Sequence, residues 1–86
     1  MVVVLVKDGR KELSKNLEKI AMCIYHKKDK LANMLLKKNI SLYKNIQVKQ
    51  GKFDLQEWME LLMEGSESRY RRADRALTAA VILSQS

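Results

Sequence analysis

The sequence predicts a mainly α protein that forms one small domain over residues 1–86. Proline is absent and glycine occurs only three times, which leaves too few turns for an all-β fold. Apolar residues recur at three- and four-residue spacings through most of the chain, as they do along helices. A chain of 86 residues buries only a modest core, so we expect marginal stability unless the protein dimerises or docks on a partner.

The first element predicted is a short strand over residues 2–6. Four of these five residues are valine and the fifth is leucine, a composition that favours extended backbone. The run is far shorter than the roughly 20 residues of a membrane span, and it lacks the basic leader of a signal peptide. We therefore expect a buried strand, followed by a turn or helix start at residues 7–10, and no association with a membrane.

A long basic amphipathic helix is predicted over residues 11–38. Its apolar stripe consists of Leu13, Leu17, Ile20, Ile24, Leu31 and Leu35, and most of its lysines fall on the opposite side. Lys28 interrupts this stripe. Either it lies in one continuous helix with its charged end reaching solvent, or the helix breaks there and Asp29 caps a second one. The sequence leaves both alternatives open.

Residues 40–48 are predicted to form a second short strand. Ile40, Leu42, Ile46 and Val48 alternate as in a half-buried strand, and the N-terminal strand needs a partner. The same segment also fits a helix, with Ile40, Tyr43 and Ile46 on one side. In that case, the N-terminal strand is expected to pair across a dimer.

Two further helices are predicted to form a C-terminal helical hairpin. Asp54 and Glu57 form an acidic capping box, with Phe53 and Trp58 placed to pack as a hydrophobic staple. Gly65 is the expected end of this helix, since continuing its stripe would bury arginines. The last helix then passes through Leu77 and Val81. The predicted core is Leu13, Leu17, Ile20, Ile24, Leu31, Leu35, Phe53, Trp58, Leu61, Leu62, Leu77 and Val81.

The start of the first of these helices resembles the second half of an EF-hand loop. The matching residues, in order, are Gly51, Phe53, Asp54, Glu57 and Trp58. The earlier ligand places hold Ile46, Val48 and Gln50, so this segment cannot supply the six or more oxygens that calcium requires. The resemblance therefore predicts no calcium site, and helix capping explains the same residues.

Charge is distributed unevenly along the chain, whose formal net charge is +7. All twelve lysines lie between Lys7 and Lys52, whereas residues 53–68 contain five acids and no base. Four arginines follow within residues 69–75. This asymmetry indicates an anionic partner, or an oligomer in which acidic and basic segments meet.

Nucleic-acid binding is the first function predicted, as in a regulator or accessory factor that contacts the phosphate backbone of DNA or RNA. The candidate contacts are Lys11, Lys15, Lys19, Lys30, Lys37, Arg69, Arg71 and Arg72. Basic side chains on a rigid helix can contact successive phosphates, and Tyr70 could stack on a base. No signature of a known nucleic-acid-binding fold accompanies them, and lysine-rich helix faces are common for solubility alone.

The alternative prediction is a protein-interaction module, such as a small inhibitor, chaperone or assembly subunit. The run Ala79–Leu83 is apolar on nearly every side, which exceeds what a chain of this size can bury. The predicted interface consists of Tyr70, Leu77, Val81, Ile82 and Leu83, facing a second copy or another protein.

Catalysis, metals and cofactors are not predicted. No nucleophile is paired with a base and an orienting group, and we expect no small-molecule substrate. Cys23 and His26 are too few ligands for a structural zinc site, and one cysteine cannot form an internal disulfide. We therefore expect a non-enzymatic protein in the reducing cytoplasm.

Overall fold

A computed structural model describes residues 9–85 and contains four helices and one two-stranded hairpin within that range. The elements are α1 (Arg10–Tyr25), α2 (Asp29–Leu42), β1 (Lys49–Gln50), β2 (Phe53–Asp54), α3 (Leu55–Glu64) and α4 (Arg69–Gln85). The mainly α prediction is confirmed. The predicted strand at residues 2–6 lies outside the described residues.

The basic segment forms two helices rather than one. Lys27 takes a left-handed conformation with φ 63°, and the Lys28 N–H donates to the Cys23 carbonyl at 2.8 Å, which closes the end of α1. Lys28 occupies the N-cap position of α2 without a side-chain cap hydrogen bond, and Asp29 is the first residue of the helix, so the prediction that Asp29 caps it is wrong. Of the two alternatives the sequence left open, the break is the one observed.

This break changes which residues of α2 face the core. A helical stripe keeps its phase only along continuous helix, and the residues between α1 and α2 interrupt it. Ala32 and Leu36 are consequently buried, while Leu31 is 44% exposed and Leu35 is half-buried. The prediction that Leu31 lies in the core is wrong for this reason.

The predicted strand over residues 40–48 is also wrong, because α2 continues to Leu42 and a turn follows. Buried Asn39 holds this end of α2 against α1. Its side-chain Nδ2 donates to the Leu35 carbonyl one turn earlier at 2.7 Å, and its side-chain Oδ1 accepts from Asn16 Nδ2 of α1 at 2.9 Å. The strands instead form a tight antiparallel hairpin around Gly51, which has φ 62°.

Tyr43 joins the end of α2 to the start of α1. Its hydroxyl donates to Glu12 Oε1 at 2.5 Å, and this bond raises the pKa of Tyr43 to about 12. The tyrosine ring also lies against Gly9, where a Cβ would approach the ring carbon Cε1 to 2.8 Å. Glycine at this position therefore permits the close approach of the two segments.

The start and end of α3 agree with the sequence. Asp54 accepts hydrogen bonds from the amides of Gln56 at 3.2 Å and Glu57 at 3.5 Å. Phe53 and Trp58 pack edge to face with their ring centres 4.8 Å apart. Gly65 ends the helix in the left-handed conformation, with φ 69°. Capping and aromatic packing together fix the direction of α3.

Helix α4 packs mainly along α1, in the antiparallel direction, rather than along α3. The Ser14 hydroxyl donates to the Ala80 carbonyl at 2.5 Å near one end of the pair, and Arg69 donates to the Ile24 carbonyl at 2.8 Å near the other. The side of α4 that is buried consists of small residues and one leucine: Ala73, Ala76, Ala79, Ala80 and Leu83. Small side chains allow the two backbones to approach closely.

This close approach explains two of the remaining errors in the predicted core. Leu77 and Val81 were expected inside, but the alanines occupy the contact and both larger residues are exposed. Trp58 and Leu61 are half-buried. The rest of the predicted core, namely Leu13, Leu17, Ile20, Ile24, Phe53 and Leu62, is buried.

Candidate protein-binding groove

An open groove of about 330 Å³ lies between α1 and α4. Its lining residues are Ala21, Met22 and Tyr25 from α1, and Tyr70, Ala73, Asp74 and Leu77 from α4. Ala21 and Ala73 are buried and form its floor, because the short side chains that bring the helices together leave space above them. The larger side chains form its walls, and Asp74 is the one charged residue among the seven.

The apolar walls of this groove are exposed to solvent. The exposed fractions are 51% for Met22, 52% for Tyr25, 74% for Tyr70 and 43% for Leu77. Val81, one turn beyond Leu77, is 47% exposed and extends the apolar surface along α4. Clustered exposed apolar side chains of this size are typical of binding surfaces, whereas isolated ones are not.

Tyrosine side chains close one end of the groove. The rings of Tyr25 and Tyr70 meet edge to face with their centres 6.2 Å apart, and His26 packs on Tyr25 at 5.3 Å. Tyrosine suits an interface because its ring provides apolar contact area, its hydroxyl stays hydrated, and few torsion angles are lost on binding.

The predicted interface residues of α4 are placed on different sides of the helix. Tyr70, Leu77 and Val81 lie on the groove side and are exposed. Ile82 is half-buried against the core, and Leu83 is 1% exposed because it lies one turn after Ala79 on the buried side. Only the first three can therefore contact a partner through this groove.

The predicted arginine cluster makes contacts within the chain. Arg69 forms a two-bond ion pair with Asp29, at 2.9 and 3.2 Å, and also donates to the Ile24 carbonyl at the end of α1. The hydrogen bond from Arg69 lowers the pKa of the Asp29 carboxyl. Arg69 thus connects α4 to the end of α1 and the start of α2.

Arg72 and Arg75 are similarly occupied. Arg72 donates to the Leu62 carbonyl of α3 at 3.0 Å. Arg75 forms a two-bond ion pair with Glu67, at 2.8 and 2.7 Å, which lowers the pKa of the Glu67 carboxyl. The Arg75 guanidinium also lies 4.8 Å from the centre of the Trp58 ring. Arg71, by contrast, is exposed.

The predicted lysine contacts are all exposed, but on two helices. Lys11, Lys15 and Lys19 lie on α1, while Lys30 and Lys37 lie on α2. The structure therefore does not bring the eight predicted nucleic-acid contacts into one cluster, since the lysines are on the surface and two of the three arginines are in internal contacts.

Met22 and Tyr25 were not predicted as residues of a binding surface. They are three positions apart on α1 and next to buried Ala21, so they border the main apolar stripe rather than belonging to it. A second, narrower apolar stripe beside the first is the signal that could have identified them.

Within residues 9–85, no cluster of three or more His, Cys, Asp or Glu side chains could hold a metal ion. Among the helices described, none has the length and apolar character needed to cross a membrane. Comparison of the chain with protein-family models, with curated proteins and with solved structures finds no match. The groove is therefore interpreted from its own geometry and charge.

Proposed function

We propose that this protein is a non-enzymatic binding module that accepts an amphipathic helix of another protein in the groove between α1 and α4. The observation that carries this proposal is the groove itself, an apolar depression about 330 Å³ in volume whose walls are exposed.

Helix packing explains why a helix is the natural occupant. Two antiparallel helices present a groove along their length, and a third helix buries its apolar stripe there. The alanine floor provides space for a leucine-sized side chain, while Met22 and Leu77 would contact it from either side. Tyr25 and Tyr70 would contact the partner at the closed end.

Nucleic-acid binding remains a second candidate, supported by the exposure of all five predicted lysines. It is weaker because Arg69 and Arg72 are in internal contacts, and a phosphate backbone has no apolar side chains with which to fill the groove. The two candidates differ in salt response, since phosphate contacts weaken steeply with salt and apolar contacts do not.

The test is binding of an uncharged amphipathic helical peptide, measured by fluorescence anisotropy. Leu77→Glu and Tyr70→Ala should each weaken binding by about tenfold or more, as expected when an interface anchor is lost. Leu42→Glu is the matched control, because Leu42 is an exposed leucine on α2 away from the groove. Thermal unfolding checks that each variant folds. Equal losses for Leu77→Glu and Leu42→Glu, or no binding by the native protein, would contradict the proposal.

Labelled DNA and RNA, single- and double-stranded, form the competing arm of this test. Binding that falls steeply from about 50 to about 300 mM salt and is insensitive to Leu77→Glu would instead favour the nucleic-acid candidate.

A further inference from the structure

We infer that the partner helix is acidic, with carboxylates that contact lysines on α1 beside the groove. This inference rests on the proposed function and adds the chemistry of the partner. It is carried by charge complementarity, since the lysine side chains beside the groove are positioned to meet acids on a helix that lies in it.

The lysines concerned lie on the same side of α1 as the groove wall. Lys15 precedes Met22 by seven residues, which is about two helical turns, so the two side chains project in similar directions. Lys11 is one turn before Lys15 and projects on the same side, whereas Lys19 is rotated away from α4. All three are exposed.

The pairing of α1 with α4 places these lysines relative to the groove. Ser14 contacts Ala80 at one end of the helix pair, and Arg69 contacts Ile24 at the other. In this antiparallel arrangement Lys15 lies beside the part of α4 that contains Val81. The groove surface is thus apolar near its two tyrosines and bordered by lysine toward the start of α1.

Two carboxylates restrict how the partner can lie. Asp74 lines the groove, and Glu18 lies on α1 between Lys15 and Met22. Acids on the partner opposite these two positions would be repelled, whereas acids toward Lys11 and Lys15 would be attracted. The expected partner therefore has apolar residues over the alanine floor and carboxylates at the end that faces the start of α1.

A second copy of this chain does not fit the description. Its acidic helix, α3, exposes Glu57, Glu60 and Glu64. The apolar residues of α3, namely Leu55, Met59 and Leu62, are buried in its own core and cannot enter a groove on another copy. Helix α3 is therefore not the occupant of the groove, and the partner helix that we infer belongs to a different protein.

The experiment compares three helical peptides with identical apolar positions and with Glu, Gln or Lys at the terminal charged positions. Calorimetry at about 50 mM salt should give about tenfold tighter binding for the Glu peptide than for the Lys peptide, and about 300 mM salt should reduce this difference. The Gln peptide should fall between them.

Charge-reversal variants of the protein test which lysines cause the preference for the Glu peptide. Lys11→Glu with Lys15→Glu should weaken binding of the Glu peptide by about tenfold and strengthen binding of the Lys peptide. Lys30→Glu with Lys37→Glu is the matched control on α2 and should change the preference much less. Asp74→Asn should increase the affinity for the Glu peptide by about twofold, because a repulsive carboxylate is removed.

The outcomes separate the inference from the proposed function. If the Glu and Lys peptides bind equally and Leu77→Glu weakens both, the inference is overturned and the helix-binding function stands. If no peptide binds the native protein, both fail. If the control pair on α2 abolishes the preference as fully as the α1 pair, the carboxylates are not held beside the groove and the inference is overturned.

Discussion

The arginines at the start of α4 and the lysines along α1 have the same charge but different surroundings. Arg69, Arg72 and Arg75 each donate to an acceptor on another part of the chain. Lys15 and Lys19 are exposed on α1. The guanidinium group suits internal contacts because it is planar, presents several donors and is weakly hydrated, whereas the lysine ammonium is strongly hydrated.

Position in the fold decides which basic residues are available to a partner. The start of α4 lies where α1 and α3 both end, and the last carbonyls of a helix lack partners within the helix. Arg72 donates to the Leu62 carbonyl near the end of α3, and Arg69 donates to the Ile24 carbonyl near the end of α1, which also accepts from the Lys27 N–H. The arginine cluster that stands out in the sequence therefore lies at a junction between helices.

The largest effect expected from this contrast is on stability. Arg75→Ala should lower the free energy of unfolding by about 1–2 kcal/mol, because it removes a two-bond ion pair with Glu67 and the contact with the Trp58 ring. Arg71→Ala is the matched control in the same helix turn and should change it by less than about 0.5 kcal/mol. Urea unfolding measures both. Equal effects of the two substitutions would contradict the assignment of Arg75 to an internal contact.

A second, smaller effect is expected on how stability depends on pH. Because Arg75 lowers the pKa of Glu67 in the folded protein, folding favours the deprotonated carboxylate. The resulting stabilisation is present at neutral pH and is lost as the pH falls through that lowered pKa. Glu67→Gln should thus be less stable than the native protein at about pH 7, and this difference should shrink toward about pH 3. A difference that is constant with pH would show that the ion pair contributes nothing.

The smallest effect is expected for the lysines. Lys15→Glu and Lys19→Glu should each change the free energy of unfolding by less than about 0.5 kcal/mol, since both side chains are exposed. Urea unfolding of these variants at neutral pH checks the prediction. A loss as large as that of Arg75→Ala would mean that the lysines have structural partners and are not available for binding.

Local signals were sufficient to predict part of this fold. The start of α3 at Asp54, its end at Gly65 and the main stripe of α1 depend on residues close together in the sequence, and all are observed. The partners of Asn39 and the burial of alanine rather than leucine on α4 depend on contacts with α1, which local patterns do not contain.

Only the residues on the α4 side of the groove could be predicted from the sequence. Tyr70, Leu77 and Val81 were expected to contact a partner, and they are exposed at or beside the groove. Met22 and Tyr25 were not expected, because their role as a wall arises only when α4 packs beside α1. The internal contacts of the arginines also depend on tertiary structure, since their acceptors lie on other helices.

The most direct test of the account is to map binding of the Glu peptide onto the protein by NMR, using backbone amide shifts of isotope-labelled protein. The account predicts that the largest shifts fall on α1 from Lys15 to Tyr25 and on α4 from Tyr70 to Val81, with little change on α2. Shifts concentrated on α2, around Lys30 and Lys37, or spread evenly over all lysine-bearing segments would contradict the groove as the binding site.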